Sequence, residues 1–359
     1  VSDPRNLVRV VSGGKEFGGW KSVRIEAGIE RIARSFDLEV TDKWPGSTGV
    51  ATRIHQGDLC QVYIGDDLVC TGYVDATPIR YDAHSVSTGI KGRSKTADLV
   101  DCGAINKPGQ WRGLKMEAIC GSLCSPYGIS VVTQTDTGDS ISDHQIQQGE
   151  SVFESIDRMM RLRHVLATDN EKGELVFIDV GSGGRASTAL ELGKNLLTGN
   201  AALDYKGVYS EYVCKGQRTG EDDEEAIEYT GEEASVSDAT TGRRRVLVLK
   251  QSGQANEGTC KDRVEYERAH RAAKALQTAY LVNGWRQDSG QLWLPNQTVR
   301  VRDPLIGFDQ DMLVAETAFR LDASGLLTEI TVGPKDGYVT KAAKKSKGAG
   351  GNLWADIKA

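Results

Sequence analysis

Cys60-Gln61-Val62-Tyr63-Ile64-Gly65-Asp66-Asp67-Leu68-Val69-Cys70-Thr71-Gly72-Tyr73-Val74 reads as two strands folded on a tight turn. Runs rich in β-branched and aromatic residues flank Gly65-Asp66-Asp67, a strong hairpin signal. Upstream, Leu7 to Val11 leads into Gly13-Gly14, and Trp20 to Ile25 and Phe36 to Val40 alternate at period two. Val86 to Ile90 adds a strand that closes on Gly92. Antiparallel strands packed this densely predict a barrel or sandwich.

Beyond Gly92 the period changes. Ser94 is placed to cap a short helix, Lys95 to Asp101, ending at Gly103. A second helix is predicted over Leu114 to Leu123, followed by a strand at Ile129 to Val132. Ser151-Val152-Phe153-Glu154 is a capping box. It opens a helix with Val152, Ile156, Met159, Met160 and Arg163 near one face. Gly173 to Val180 is then a strand. Strands resume at Leu203-Asp204-Tyr205, Glu211 to Cys214 and Arg245 to Leu249. Thr259 with Asp262 is placed to cap a long helix reaching Asn283-Gly284, with Ala269, Ala272, Ala273, Leu276, Ala279 and Tyr280 as a narrow stripe for close packing. The final strands run to Gly333.

The expected fold is therefore α+β, mainly β: two related antiparallel β-barrel domains, an inserted small α+β domain, and a long helix before the final strands. The expected domains are 1–103 (first barrel with its closing helix), 104–187 (insert), 188–335 (second barrel, including helix 259–283) and 336–359 (a flexible Lys/Gly-rich tail). The relation between the barrels rests on a shared layout. Val62-Tyr63-Ile64, a turn, Leu68-Val69-Cys70, Tyr73-Val74, Tyr81-Asp82-Ala83 and a strand ending at Gly92 correspond in order to a second series. That series is Val299-Arg300-Val301, a longer turn, Met312-Leu313-Val314, Ala318-Phe319, Leu321-Asp322-Ala323 and a strand ending at Gly333. Three such chains would place six similar barrels around one axis.

Composition narrows the function. The net charge of −6 argues against a nucleic-acid binder of the usual basic kind, and suits a surface that DNA must pass without sticking. No run approaches the roughly 18 apolar residues of a membrane span. Val1 to Val10 carries Asp3 and Arg5 and no signal-peptide core. Seven cysteines, an odd number without a regular framework, read as reduced thiols made in a cytosol.

Gly92-Arg93-Ser94-Lys95-Thr96-Ala97-Asp98-Leu99-Val100-Asp101 resembles the segment after the first barrel in Mu-like phage baseplate hub proteins, which belong with the late-control tail proteins. The hairpin end Val69 to Asp75 is similar to the same family, as is Leu294-Pro295-Asn296-Gln297 leading to Val299-Arg300-Val301 and Leu313-Val314. The resemblance runs in order from about Trp20 to Gly333. It implies a structural homotrimeric ring in the baseplate of a contractile tail, related to the hub half of type VI secretion spike proteins. Such a ring would join a six-fold tail tube to a three-fold membrane-piercing spike. Its implied partners are the spike, tube and tape-measure proteins and other baseplate proteins. DNA would pass through the lumen without specific binding, and no stable membrane insertion is implied. The implied location is the virion tail baseplate, assembled in the host cytoplasm. The family brings no catalytic residues, and no lysozyme-like or β-helical spike segment is recognised here.

No catalytic, cofactor or metal residue is expected. His55, His84, His144, His164 and His270 lack paired spacing. Cys120 and Cys124, four apart on a helix, have no partner pair at metal-ligand spacing and read as buried thiols. Glu221 to Glu225 lacks the alternating ligands and Gly of a calcium loop, and reads as a solvated loop. Gly181-Ser182-Gly183-Gly184 lacks the Lys-Ser/Thr of a phosphate loop and reads as a turn. Lys341, Lys344, Lys345 and Lys347 read as a solubilising tail. The competing function is a peptidoglycan-degrading or carbohydrate-binding tail protein, for which no carboxylate pair is identifiable from spacing. A pore-lining component of a secretion machine is a third reading, sharing the fold.

Overall fold

The computed structural model describes residues 3–42, 54–82, 86–163, 165–217, 231–239, 242–251 and 257–338. His84, His164, the acidic run 221–225 and the Lys-rich segment from 341 lie outside them. The protein is mainly β, with antiparallel sheets and four α-helices among the described residues. The chain forms two compact units. One comprises Val1–Ser187, Leu281–Gln297 and Val314–Ile330; the other comprises Thr188–Tyr280, Thr298–Leu313 and Thr331–Ala359.

Strands of the first unit are β1 (Val8–Ser12), β2 (Lys15–Phe17), β3 (Ser22–Gly28), β4 (Ser35–Asp42), β5 (Leu59–Ile64), β6 (Asp67–Ala76), β7 (Ile79–Tyr81) and β8 (Val86–Ser94). They hydrogen-bond in the order β3-β4-β8-β6-β5-β1-β2, with β7 also on β8. The predicted hairpin is present: Leu59 lies opposite Tyr73 and Ile64 opposite Asp67. Period-two alternation buries Val10, Val23, Ile25, Leu38, Val62 and Ile64 on the core side.

Two glycines decide how tightly β6 and β8 meet. A Cβ on Gly72 would lie 1.9 Å from the Arg93 carbonyl oxygen, and one on Gly92 would lie 2.2 Å from the Tyr73 oxygen and 2.3 Å from the Phe36 ring. Only hydrogen fits at either position. The motifs Thr71-Gly72-Tyr73 and Gly92-Arg93-Ser94 are thus two sides of one close approach.

Next come α1 (Ala97–Asp101), β9 (Gln110–Trp111), α2 (Met116–Cys124), β10 (Val131–Thr133), β11 (His144–Gln145), α3 (Val152–Arg163), β12 (Leu166–Asp169) and β13 (Leu175–Ile178). Ser94 ends β8 rather than capping α1, and its hydroxyl bonds that of Thr96 at 2.7 Å. The extended pairing of β8 takes Ser94 before helical geometry begins. The capping box of α3 forms as expected: the Glu154 N–H donates to Ser151 Oγ, and the Ser151 N–H to Glu154 Oε2. Val152, Ile156, Met159 and Met160 of α3 are buried with Ile119, Leu123 and Phe177 in one core, which closes over Ile32 and Leu99.

The remaining elements are β14 (Leu190–Glu191), β15 (Leu196–Ala201), β16 (Glu211–Gln217), β17 (Gly231–Ser237), β18 (Val246–Gln251), α4 (Glu257–Ala275), β19 (Thr278–Asn283), β20 (Thr298–Asp303), β21 (Phe308–Asp322) and β22 (Gly325–Gly333). Leu203-Asp204-Tyr205 is not a strand. Leu203 has φ 43°, and the Asp204 carboxylate accepts the Lys206 N–H at 2.8 Å, turning the chain into a short 3-10 helix. The long helix ends at Ala275, and Thr278, Tyr280 and Val282 are buried at period two as a strand. Burial on a sheet overrides the helical pattern there. The small-residue stripe does allow close packing: a Cβ on Gly337 would lie 1.8 Å from Ala273 Cβ.

In the second unit β16 is the centre of a three-stranded sheet, antiparallel to β17 and parallel to β18. Tyr212 and Cys214 pack from it onto Cys260 and Val264 of α4. β20 forms a hairpin with the start of β21, Thr298 opposite Leu313.

Replacing Gly72 by Ala should destabilise the fold by about 3 kcal/mol, because backbone rather than a side chain must move. Gly121→Ala, inside α2 with open space at the Cβ position, should gain about 0.5–1 kcal/mol from helix propensity. Urea midpoints check both. His144 is buried and bonded through Nε2 to Ser155 Oγ at 2.8 Å. Burial, then the charge of Arg158, lowers its pKa from the ordinary 6.5. A lowered imidazole pKa means the folded state holds the neutral ring. That stability is full above pH 6.5 and is lost as pH falls through the folded value. Melting temperature should therefore drop on acidification from pH 7.5 to 5, and His144→Gln should flatten that part of the profile.

Candidate functional site

The first unit has a cleft of about 760 Å³. Its floor is the β3 and β21 surface carrying Ile25, Ala27, Thr317 and Phe319, and loops from the β5–β6 hairpin, residues 168–172 and residues 291–297 form its walls. Thr317 is 2% exposed, and its hydroxyl has no hydrogen-bond partner among the described residues.

Arginines hold the walls. Arg34 donates from its backbone N–H and Nε to the two Asp169 carboxylate oxygens at 3.0 and 3.2 Å, and from its guanidinium to the Val69 and Asp169 carbonyls. Burial raises the pKa of Asp169, while Arg34 acts in the opposite direction. Thr168 adds a hydroxyl bond to the Gly28 carbonyl at 2.7 Å. Arg286 bonds the Arg5, Ile64 and Gly290 carbonyls and the Asp67 carboxylate at 2.6 to 3.2 Å. With one partner removed, a buried pair such as Arg34–Asp169 leaves an uncompensated charge. The Arg34–Asp169 pair therefore acts as a fastener, while Arg286, whose Asp67 partner is half exposed, fastens its wall mainly through the three carbonyls.

Leu294-Pro295-Asn296-Gln297 forms the third clamp. Asn296 is left-handed, with φ 69°. Its carboxamide accepts the Gly181 N–H at 2.6 Å and donates to the Asp179 carbonyl and Ser182 Oγ. The Gly183 N–H goes to the Asn296 carbonyl. Gly181-Ser182-Gly183-Gly184 is thus a turn whose N–H groups at Gly181 and Gly183 are already spent, as its sequence suggested. Gln297 accepts from Gln287 at 2.8 Å beneath it. Sequence reasoning marked Asn296 and Gln297 only as motif positions; Asn before a strand was the available signal for a left-handed residue.

The other weighed residues do not converge. His55 is exposed and lies 3.9 Å from Asp58, and His144 is buried against Ser155 and Trp111. His270 bonds the Gly337 carbonyl and stacks on Tyr266. Cys120 and Cys124 share the apolar core of α2 and α3. All seven cysteines are free, and all but Cys102 are buried. Burial pushes the thiols of Cys60, Cys124 and Cys214 up to about 12. Among the described residues no group of three or more His, Cys, Asp or Glu is arranged to hold a metal ion, and no helix is long and apolar enough to cross a membrane.

Three family profiles match in sequence order. The Mu phage baseplate assembly protein GpP-like N-terminal domain matches residues 7–94, and the second domain of baseplate hub protein gp44-like matches 96–179. The fourth domain of Mu phage baseplate assembly protein GpP matches 256–341. The baseplate hub protein gp44 of Escherichia phage Mu is 32% identical over 361 residues, covering 97% of this chain and 93% of that protein. The crystal structure of the 43 kDa tail protein of prophage MuSo2 from Shewanella oneidensis superposes with a TM-score of 0.84 at 32% identity, covering 93% of this chain and 99% of that one. The E. coli c3393 protein, a type VI secretion component, shares the fold at 10% identity with a TM-score of 0.55, over 90% of this chain and 76% of that one. With likeness along nearly its whole length, the chain belongs to the Mu-like family of phage baseplate hub proteins, structural components of the tail rather than enzymes.

Proposed function

We propose that this baseplate hub acts as a homotrimeric ring joining a six-fold tail tube to a three-fold, membrane-piercing spike, with a channel left for DNA. The observation that carries the reading is the likeness to the Mu hub over 97% of the chain. Two related barrels, with domains at 1–103, 104–187, 188–335 and 336–359, would let three chains present six similar surfaces. Support comes from strand order. β5, β6 and β8 form one antiparallel succession, and β20, β21 and β22 follow the same order of hairpin and third strand. The partners in this reading are the spike, tube, tape-measure and other baseplate proteins. Assembly takes place in the host cytoplasm, with no stable membrane insertion. The net charge of −6 suits a lumen from which DNA must slide free.

Light scattering on the purified chain should give three copies per particle. Averaged images down the axis should show three-fold density with six similar lobes. A strict monomer at every micromolar concentration, with or without spike protein, would count decisively against the ring. Incubation with cell walls should release no muropeptides; release abolished by one Asp or Glu substitution would transfer the protein to the hydrolase reading.

A further inference from the structure

The sheet β17-β16-β18 ends on two edges of opposite charge. Among the described residues β17 and β18 each hydrogen-bond to β16 alone. On β18, Val246 is 38% exposed and Val248 is 60% exposed, Lys250 is exposed, and Arg243 and Arg244 are exposed just before the strand. Helix α4 lies mainly over β16 and β17, so Leu247 and Leu249 are only partly covered. An edge strand apolar on both faces invites a further strand. The β17 edge carries Glu233, which is exposed and also reaches Lys215 of β16 at 3.4 Å.

Registers make the edges complementary. Val213 lies opposite Ser235 on one side and Val248 on the other, and Lys215 opposite Glu233 and Lys250. Because β17 and β18 run in opposite directions, a copy rotated about an axis along the strands brings its β17 antiparallel to β18. Val248 then faces Ser235, and Lys250 faces Glu233. A basic edge against an identical basic edge would instead repel.

We propose that β18 of one copy pairs with β17 of the next, head to tail, continuing this sheet around the ring. The proposal rests on the homotrimer reading and names its contact. Such heterologous contacts do not stop at dimers, and with a rotation of one third of a turn between copies they close into a three-membered ring.

The test uses the full chain with Ser235→Cys and Val248→Cys together. Within one copy these positions flank β16, two strand spacings or roughly 9.5 Å apart, beyond the about 7 Å that a disulfide spans. Any bond between them is therefore intermolecular. Oxidation with diamide should give cross-linked dimers and trimers on non-reducing gels, absent from the wild type and from each single variant. Lys250→Glu should weaken assembly about ten-fold, and adding Glu233→Lys should restore it. A trimer by light scattering without the cross-link would overturn the edge contact and leave the homotrimer standing. Cross-linking by Val248→Cys alone would replace it with a two-fold contact. A monomer would sink both readings.

Discussion

The distance between β6 and β8 is the constraint on which the first unit depends. At Gly72 and Gly92 the two backbones come so close that a methyl group would overlap a carbonyl oxygen. From that contact the chain leaves the sheet: the Lys95 N–H bonds the Thr71 carbonyl, and α1 begins two residues later. Arg93 then bridges Asp75 and Asp101 at 2.8 and 2.7 Å, tying strand to helix across the joint. Being partly exposed, each pair contributes little alone, and the covalent path does most of the fixing.

The insert is fastened to the same sheet by charge as well as by apolar burial. Asp169 would be an expensive group to bury, yet Arg34 meets both its oxygens and its backbone carbonyl. Ile32 and Leu99, contributed by segments outside 104–187, lie in the core of α2 and α3. Hydrophobic contact sets the position, and the polar clamps select one register among those that burial alone would allow.

Short-range signals in the sequence were legible where they concerned one strand or one cap. The hairpin at Gly65-Asp66-Asp67 and the box at Ser151 and Glu154 are local, and both formed. Failures arose where distant partners decide. Thr278 to Asn283 continues a helical stripe on paper, yet Tyr280 finds Asp303 through its hydroxyl at 3.1 Å and the segment becomes a strand. The Arg34, Arg286 and Asn296 clamps join residues more than a hundred positions apart, which no period or motif encodes.

The buried thiols bear on which chemistry the fold leaves open to sulfur. With pKa values near 12 at Cys60, Cys124 and Cys214, on the order of one thiol in a hundred thousand is ionised at neutral pH, and the thiolate is the reactive form. Buried in this way, the sulfur at these three positions serves as apolar filling rather than as a reactive group.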